Sequence, residues 1–480
     1  MVLSIDVGTT TCKGALFNHS GELRESVKIP LSLFTPEQGA QEADPRQWSQ
    51  AVATICQKLA YHREIRAVVV SGNGPTVVPV YAEPQIVEGI LHAPSGNARL
   101  WLDRRAVEEA SEISALVGQF VDASFVLPQV LHLMRKSPTI YENSRWFLSS
   151  FEYINYLLTH ESATILHAED AKRWYWTDEV ISALALDADK FPPFKQPGDL
   201  IGGITALASQ TLGLQKGIPV FAAGPDFLVS ILGCAVVKPG MVCDRSGTSE
   251  GINLCAHTPL GDERLMTYLH PIHPYYNVSG IISTSGKAIG WIRKLLGLAE
   301  LSFDALYMMM AEAPAGAGGL LFLPYLSGER APIWDPDARG VFSGLSLSSD
   351  KARLLRSVAE GVCLAMYDVI DVMEELGGTV SALRITGGPS ESAFLNQLKA
   401  DVTGRPVSIP VVGDAELVGS MVIGKTALGD YRSLAEAAEQ LVAIGSQYYP
   451  DRQKRALYDE LLDRYRGTYR KLKGMWRNGV

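Results

Sequence analysis

Two stretches of this chain, about 240 residues apart, carry one pattern. In the first, an apolar run Val2–Val7 ends in Gly8-Thr9-Thr10-Thr11 and is followed by a second run, Gly14–Phe17. In the other, Val242-Cys243-Asp244-Arg245-Ser246 leads into Gly247-Thr248-Ser249-Glu250 and then into Ile252–Cys255. Short apolar runs bounded by glycine and hydroxyl residues read as strand, turn, strand. A unit of this kind used twice argues for one domain plan used twice, although a single echo this short also arises by chance. The length agrees, because 480 residues exceed what one hydrophobic core usually organises. The turn-forming trio Lys238-Pro239-Gly240 sets the expected boundary, with domains over 1–237 and 238–480.

The rest of the chain alternates strands with helices. Strands are expected at Ala67–Ser71, Val77–Tyr81 and Val220–Ala223, with helices over Trp48–Tyr61 and Asp103–Val117. In the second half, helices are expected near Ala288–Leu296, Lys351–Leu376 and Ser392–Thr403, with a strand at Ala382–Thr386. Both halves are therefore α/β. From Arg455 to Lys473, Leu457, Leu461, Tyr465 and Tyr469 form one stripe, which predicts a helix packed on the body rather than a binding arm.

The opening turn carries chemistry as well as shape. Backbone N–H groups and the hydroxyls of Thr9, Thr10 and Thr11 converge in a way that suits phosphate oxygens, and Gly8 lets them approach. Lys13 adds a positive charge, and Asp6 at the strand end is placed to hold Mg²⁺ through water. The alternative is a plain hairpin with β-favouring threonines and one capping Asp. Gly247-Thr248 offers a second contact of the same kind. Thr386-Gly387-Gly388-Pro389-Ser390 ends a strand before a helix, where glycines allow a flat base or ribose to lie against the backbone. Gly280–Lys287 imitates a phosphate-binding P-loop, but five residues separate its glycines and Ala288 stands where a hydroxyl is needed. It reads as a loop leading into a helix.

Charge and cysteine usage exclude other classes. A net charge of −9 gives no support for a nucleic-acid partner. Six cysteines without metal-ligand spacing suit reduced thiols in a cytoplasmic protein, and no run is long enough for a membrane span.

Together these motifs resemble the FGGY family of carbohydrate kinases, xylulokinases in particular, over roughly residues 1 to 450. The most specific piece is LFLPYLSGERAPIWDPDARGVFSGL, residues 321 to 345, and the Leu100–Arg105 and Ala223–Asp226 segments fall in the family's order. The resemblance implies two actin-like, ribonuclease-H-like α/β domains, with ATP and a small sugar or polyol in the cleft between them. It implies that Asp226 accepts the proton of the attacking hydroxyl, and local physics adds that Asp226 could cap a helix. By the same matching Gly247, Thr248, Gly286, Gly388 and Ser392 touch the nucleotide, while Trp101, Asp103 and Arg105 lie near the sugar. Trp101 as a core aromatic remains an alternative, and Glu329 with Arg330 is expected to form an ion pair. The implied partners are ATP with Mg²⁺ and the sugar, with a homodimer admitted.

The sugar side departs from the family. Where xylulokinases carry a Gln-Met-His-Gly run against the sugar, this chain has Gly72-Asn73-Gly74-Pro75-Thr76. Phe227 follows Asp226 where that subgroup usually has Asn. Asn73, Gly74, Pro75 and Phe227 should therefore change which hydroxyls are recognised. An ATP-dependent sugar kinase is the favoured reading; a catalytically silent sugar-binding homologue and an actin-like ATPase are the competing ones.

Overall fold

A computed structural model describes residues 1–59, 62–167, 169–170 and 177–476. Its contacts divide into two compact units, Met1–Gly233 with Glu416–Leu441, and Cys234–Ala415 with Val442–Val480. The changeover thus falls at Gly233–Cys234 rather than at 237–238. The segment Glu416–Leu441, which sequence reading left in the second half, packs with the first unit. Close approach explains this. A Cβ on Gly419 would lie 2.0 Å from the carbonyl oxygen of Val229, and one on Gly424 would lie 2.9 Å from Val2 Cγ1. The glycines let this helix sit close against the backbone at Val229 and the side chains of Val69 and Val2, and nothing in the linear order announces it.

The first unit is built on six strands: β1 (Val2–Val7), β2 (Thr11–Phe17), β3 (Leu23–Pro30), β4 (Ala67–Gly72), β5 (Leu200–Gly203) and β6 (Pro219–Pro225). Their order is β5-β6-β4-β1-β2-β3. Pairing is antiparallel for β3–β2, β2–β1 and β6–β5, and parallel for β1–β4 and β4–β6. All six residues of β1 and of β4 are buried, as expected of central strands covered on both faces. Helix α2 (Ser150–Thr159) lays Phe151 and Ile154 into this core, and helix α1 (Pro45–Lys58) adds Trp48, Val52 and Ile55. It starts where the Asp44 side chain accepts the Arg46 N–H and Pro45 opens the first turn. The expected end of that helix at Ala60-Tyr61 lies outside the described residues.

The second unit has seven strands: β7 (Met241–Ser246), β8 (Glu250–Ala256), β9 (Met266–Leu269), β10 (Tyr276–Ile282), β11 (Ala382–Thr386), β12 (Val407–Pro410) and β13 (Ile444–Tyr448), in the order β9-β10-β8-β7-β11-β12-β13. From β10 to β13 the pairings run antiparallel, antiparallel, parallel, parallel, antiparallel. That is the same series as from β3 to β5 in the first unit. The echo read from the sequence is a repeated sheet. Its core is organised by the 25-residue helix α5 (Lys351–Glu375), most of which is buried. The C-terminal helix α8 (Arg455–Trp476) buries Tyr458, Leu461, Leu462, Tyr465 and Tyr469 against the same core, as its stripe predicts. All six cysteines are buried and unbridged, and among the described residues no helix is long and apolar enough to cross a membrane.

Candidate functional site

Three parallel strands of the first unit end side by side, and their carboxyl ends gather polar groups. Asp6 of β1 is opposite Ser71 of β4, and Ser71 is opposite Gly224 of β6. The β6 ladder is irregular between Ala222 and Gly224, and Gly224 has φ +120°, which a side chain would strain. The chain then turns straight into helix α3 (Asp226–Gly233), so Asp226 stands in its first turn rather than before it as a cap. Asp226 and Phe227 are half-buried. The carboxyl edge of parallel strands is where α/β sheets bind ligands, and a helix N-terminus favours a carboxylate there.

Asp6 is buried, and its Oδ1 accepts the Ser71 hydroxyl at 2.9 Å. Burial first, then the neighbouring Glu416 and Asp226 carboxylates, pushes its pKa up to about 8 against the pull of Lys13. The Lys13 Nζ donates to Glu416 Oε1. Glu416 comes from helix α7 (Ala415–Ala427), so three carboxylates and one ammonium influence one another here. Sequence reading found Asp6, Lys13 and Asp226 but missed Glu416, because some 400 residues separate it from Lys13.

The Gly8–Thr11 turn closes with the Gly8 N–H donating to the Thr11 carbonyl at 3.1 Å. A Cβ on Gly8 would lie 2.7 Å from that oxygen, so glycine is required by the turn itself. Thr10 is exposed, and Thr9 Oγ1 accepts the Trp101 indole N–H at 3.1 Å. Trp101 is half-buried and tied to the turn, which sets aside its reading as a core aromatic.

Other expected sugar contacts have structural work of their own. Asn73 is buried; its Nδ2 donates to Val7 O at 2.8 Å and its Oδ1 accepts Thr76 Oγ1 at 2.6 Å. It shapes the loop on which Gly74 and Pro75 stand half-exposed. Asp103 is wholly buried and accepts from Gln41 N–H at 3.0 Å and from Arg105 Nη2 at 2.7 Å. Burial opposes its charge, yet the Arg105 bonds hold its carboxyl below the usual range. Arg105 also reaches Glu42 at 2.6 Å and Glu37 at 3.1 Å. This closed ion cluster anchors the segment that carries Trp101.

In the second unit the nucleotide candidates are drawn together around the β7–β8 turn. Gly286 N–H donates to Gly247 O at 3.0 Å, and Ser285 N–H to Thr248 O at 3.1 Å. Helix α4 (Gly286–Leu295) begins there, so the P-loop imitation, expected as a loop entering a helix, is the end of β10, a three-residue loop and the first turn of α4. Gly387, at φ +91°, brings its backbone so close that a Cβ would lie 2.0 Å from Ser246 O. Gly388 follows, and the Ser392 hydroxyl caps helix α6 (Ala393–Thr403) by accepting Leu395 N–H. Below the turn lies a cluster that sequence reading missed. Lys399 Nζ donates to Asp244 Oδ2 at 2.5 Å and to Glu250 Oε1 at 2.8 Å. Glu329 Oε1 accepts the N–H groups of Ser283 at 2.6 Å and of Arg330 at 2.8 Å, and the Arg330 charge also acts on this carboxylate. Burial raises the Glu329 carboxyl to about 7.

Comparison with known proteins decides the family. The N-terminal domain model of the FGGY family of carbohydrate kinases matches residues 1–233, and its C-terminal domain model matches residues 245–428. The chain belongs to the FGGY family. It is 26% identical to the xylulose kinase of Staphylococcus epidermidis, over 98% of this chain and 97% of that protein. The ligand-bound xylulose kinase structure from Lactobacillus acidophilus superposes with a TM-score of 0.88 at 25% identity, covering 100% of this chain and 99% of that one. The gluconate kinase structure from the same organism gives 0.89 at 25% identity, with the same coverage. This FGGY protein is thus a sugar kinase, a phosphotransferase with an alcohol acceptor, built on two actin-like, ribonuclease-H-like folds.

Proposed function

We propose that this chain transfers the γ-phosphate of ATP to a primary hydroxyl of a small sugar, polyol or sugar acid, with Asp226 as the base that orients the acceptor. The observation that carries this is the place of Asp226: first in a helix, half-buried, at the carboxyl edge shared with Asp6 and the Gly8–Thr11 turn. A helix N-terminus lowers the basicity of a carboxylate, but phosphoryl transfer has a loose transition state in which the proton leaves late. Orientation therefore matters more than base strength. The Thr9, Thr10 and Thr11 hydroxyls and Lys13 would meet phosphate oxygens from the first unit. Gly247, Thr248, Gly286, Gly387 and Gly388 would supply backbone contacts from the second, with Ser392 bracing α6 behind them.

The residues present fit Mg²⁺. Asp6 and the threonine hydroxyls are hard oxygen donors, and the Glu416 and Asp226 carboxylates that raise the pKa of Asp6 favour a cation beside it. Among the described residues no group of three or more His, Cys, Asp or Glu is arranged to hold a metal. The ion would therefore rest on Asp6, water and phosphate oxygens, and it would neutralise charge on the transferring group.

Similar resemblance to a xylulose kinase and to a gluconate kinase favours neither substrate. Phe227 and the Asn73-Gly74-Pro75 loop replace polar sugar contacts, which supports an acceptor different from xylulose. A panel of ketopentoses, pentitols, glycerol and aldonates, assayed with Mg-ATP by coupled ADP release, tests the reading. Acceptor-dependent ADP production is expected; ATP hydrolysis indifferent to every acceptor would overturn it.

A further inference from the structure

The buried lysine of the second unit has no part in the scheme above, yet it touches most of the segments that frame the nucleotide positions. All three N–H donors of Lys399 are used: on Asp244, on Glu250 and on the Ser246 hydroxyl. Ser246 and Glu250 are the last and first residues of β7 and β8 and face each other across the three-residue turn that holds Gly247 and Thr248. The second oxygen of Glu250 accepts the Ser285 hydroxyl, and the backbone of Ser285, Gly286 and Lys287 in turn donates to the carbonyls of Gly247 and Thr248. Lys399 itself is carried by α6, whose capping residue Ser392 follows the Gly387-Gly388 segment. The side chain of Lys399 is 4% exposed, and those of Glu250 and Asp244 are 1% and 0% exposed, so none of the three reaches a ligand.

We propose that Lys399 is a positioning residue for the nucleotide: through Glu250 and Ser285 it locks the Gly247-Thr248 turn to the N-terminus of α4. The inference rests on the assignment of Gly247, Thr248 and Gly286 to nucleotide contact. Two carboxylates share one ammonium in a sealed space. Without the lysine the Glu250 carboxylate is left buried with no counter-charge at the root of the turn, and Ser285 loses the oriented acceptor that fixes the helix start. Preorganised backbone donors serve a phosphate well only while they cannot relax, so the damage falls on nucleotide affinity.

Isothermal titration of the full chain with Mg-ADP, and separately with the acceptor found by the panel, reads the effect. Lys399→Met is expected to weaken Mg-ADP binding about tenfold or more while acceptor affinity stays within about twofold. Ser285→Ala removes only the link to α4 and leaves the ion cluster in place. It is expected to weaken Mg-ADP three- to fivefold with the melting temperature nearly unchanged. Should Lys399→Met fail to fold, Ser285→Ala decides alone. Mg-ADP affinity within twofold of the parent in Ser285→Ala, or in a folded Lys399→Met, would overturn the proposal, as would equal losses of nucleotide and acceptor affinity. A parent chain that binds no Mg-ADP would instead refute the nucleotide assignment on which it rests.

Discussion

The two units build the same kind of charge group with the lysine and the glutamate exchanged between strand and helix. Each repeats the same five strand pairings, and each places an aspartate on its first central strand beside a glutamate and a lysine. In the first unit the lysine, Lys13, is on the second strand and the glutamate, Glu416, on a helix. In the second unit the glutamate, Glu250, is on the second strand and the lysine, Lys399, on a helix. Exposure separates them further. The Lys13 and Glu416 side chains keep 20% and 13% of their surface, against 4% and 1% for Lys399 and Glu250. A partly open charge group can meet a substrate, whereas a sealed one can only hold its own fold. On the function proposed above, one scaffold carries chemistry in the first unit and bracing in the second.

The largest test of this difference is Asp226→Ala. It is expected to lower kcat about a thousandfold while leaving the dissociation constant for ATP within about twofold, read by ADP release and titration. Turnover close to that of the parent would remove Asp226 from the chemistry. The same substitution made at the buried aspartate on each unit's first central strand comes next. Asp6→Asn is expected to lower kcat/KM about a hundredfold, and Asp244→Asn to leave it within about threefold. Both carboxyls are pushed up to about 8, burial being the first cause in each. For an acid raised in this way, the stability it contributes is lost as pH rises through the folded value, so replacing the carboxyl by an amide should cost little stability. Neither variant should melt more than a few degrees below the parent. Equal losses of activity would break the contrast between the units.

Two glycines probe packing rather than charge. Gly387→Ala forces a side chain into φ +91° and against Ser246 O, with an expected loss of about 3 kcal/mol in denaturant unfolding. Gly419→Ala, in an ordinary helical position but 2.0 Å from Val229 O, should cost about 2 kcal/mol and also lower kcat by shifting the helix that carries Asp226. A Gly419→Ala that lost stability without any change in kcat would separate α7 from the site. The smallest effect belongs to Thr10→Val, which removes one exposed hydroxyl and should raise KM for ATP two- to fivefold. An unchanged KM with unchanged kcat would count against the Gly8–Thr11 turn as a phosphate contact.

Much of the local structure was legible in the linear order. Hydrophobic period and turn residues place Val2–Val7 and Ala382–Thr386 as strands with the observed bounds, and put α5 within one residue of its end. Local chemistry singled out Asp6 and the Gly8–Thr11 and Gly247-Thr248 turns, whereas Asp226 and Gly286 were reached only through the family resemblance. Roles that depend on partners were read less well. Asp103 and Arg105 look like free polar groups in sequence but satisfy each other in a buried cluster. Trp101, expected near the sugar with a core role as the alternative, is tied by its indole N–H to Thr9.

By itself, then, the sequence determined the repeated strand–turn–strand plan, the α/β class and the kinase family, since these rest on near-neighbour patterns in the chain. Tertiary structure alone decided that Glu416 joins the first unit beside Lys13 and that Lys399 braces the second. Coulomb energy and burial depend on separation in space, and residues some 400 positions apart in the chain can end within hydrogen-bonding distance.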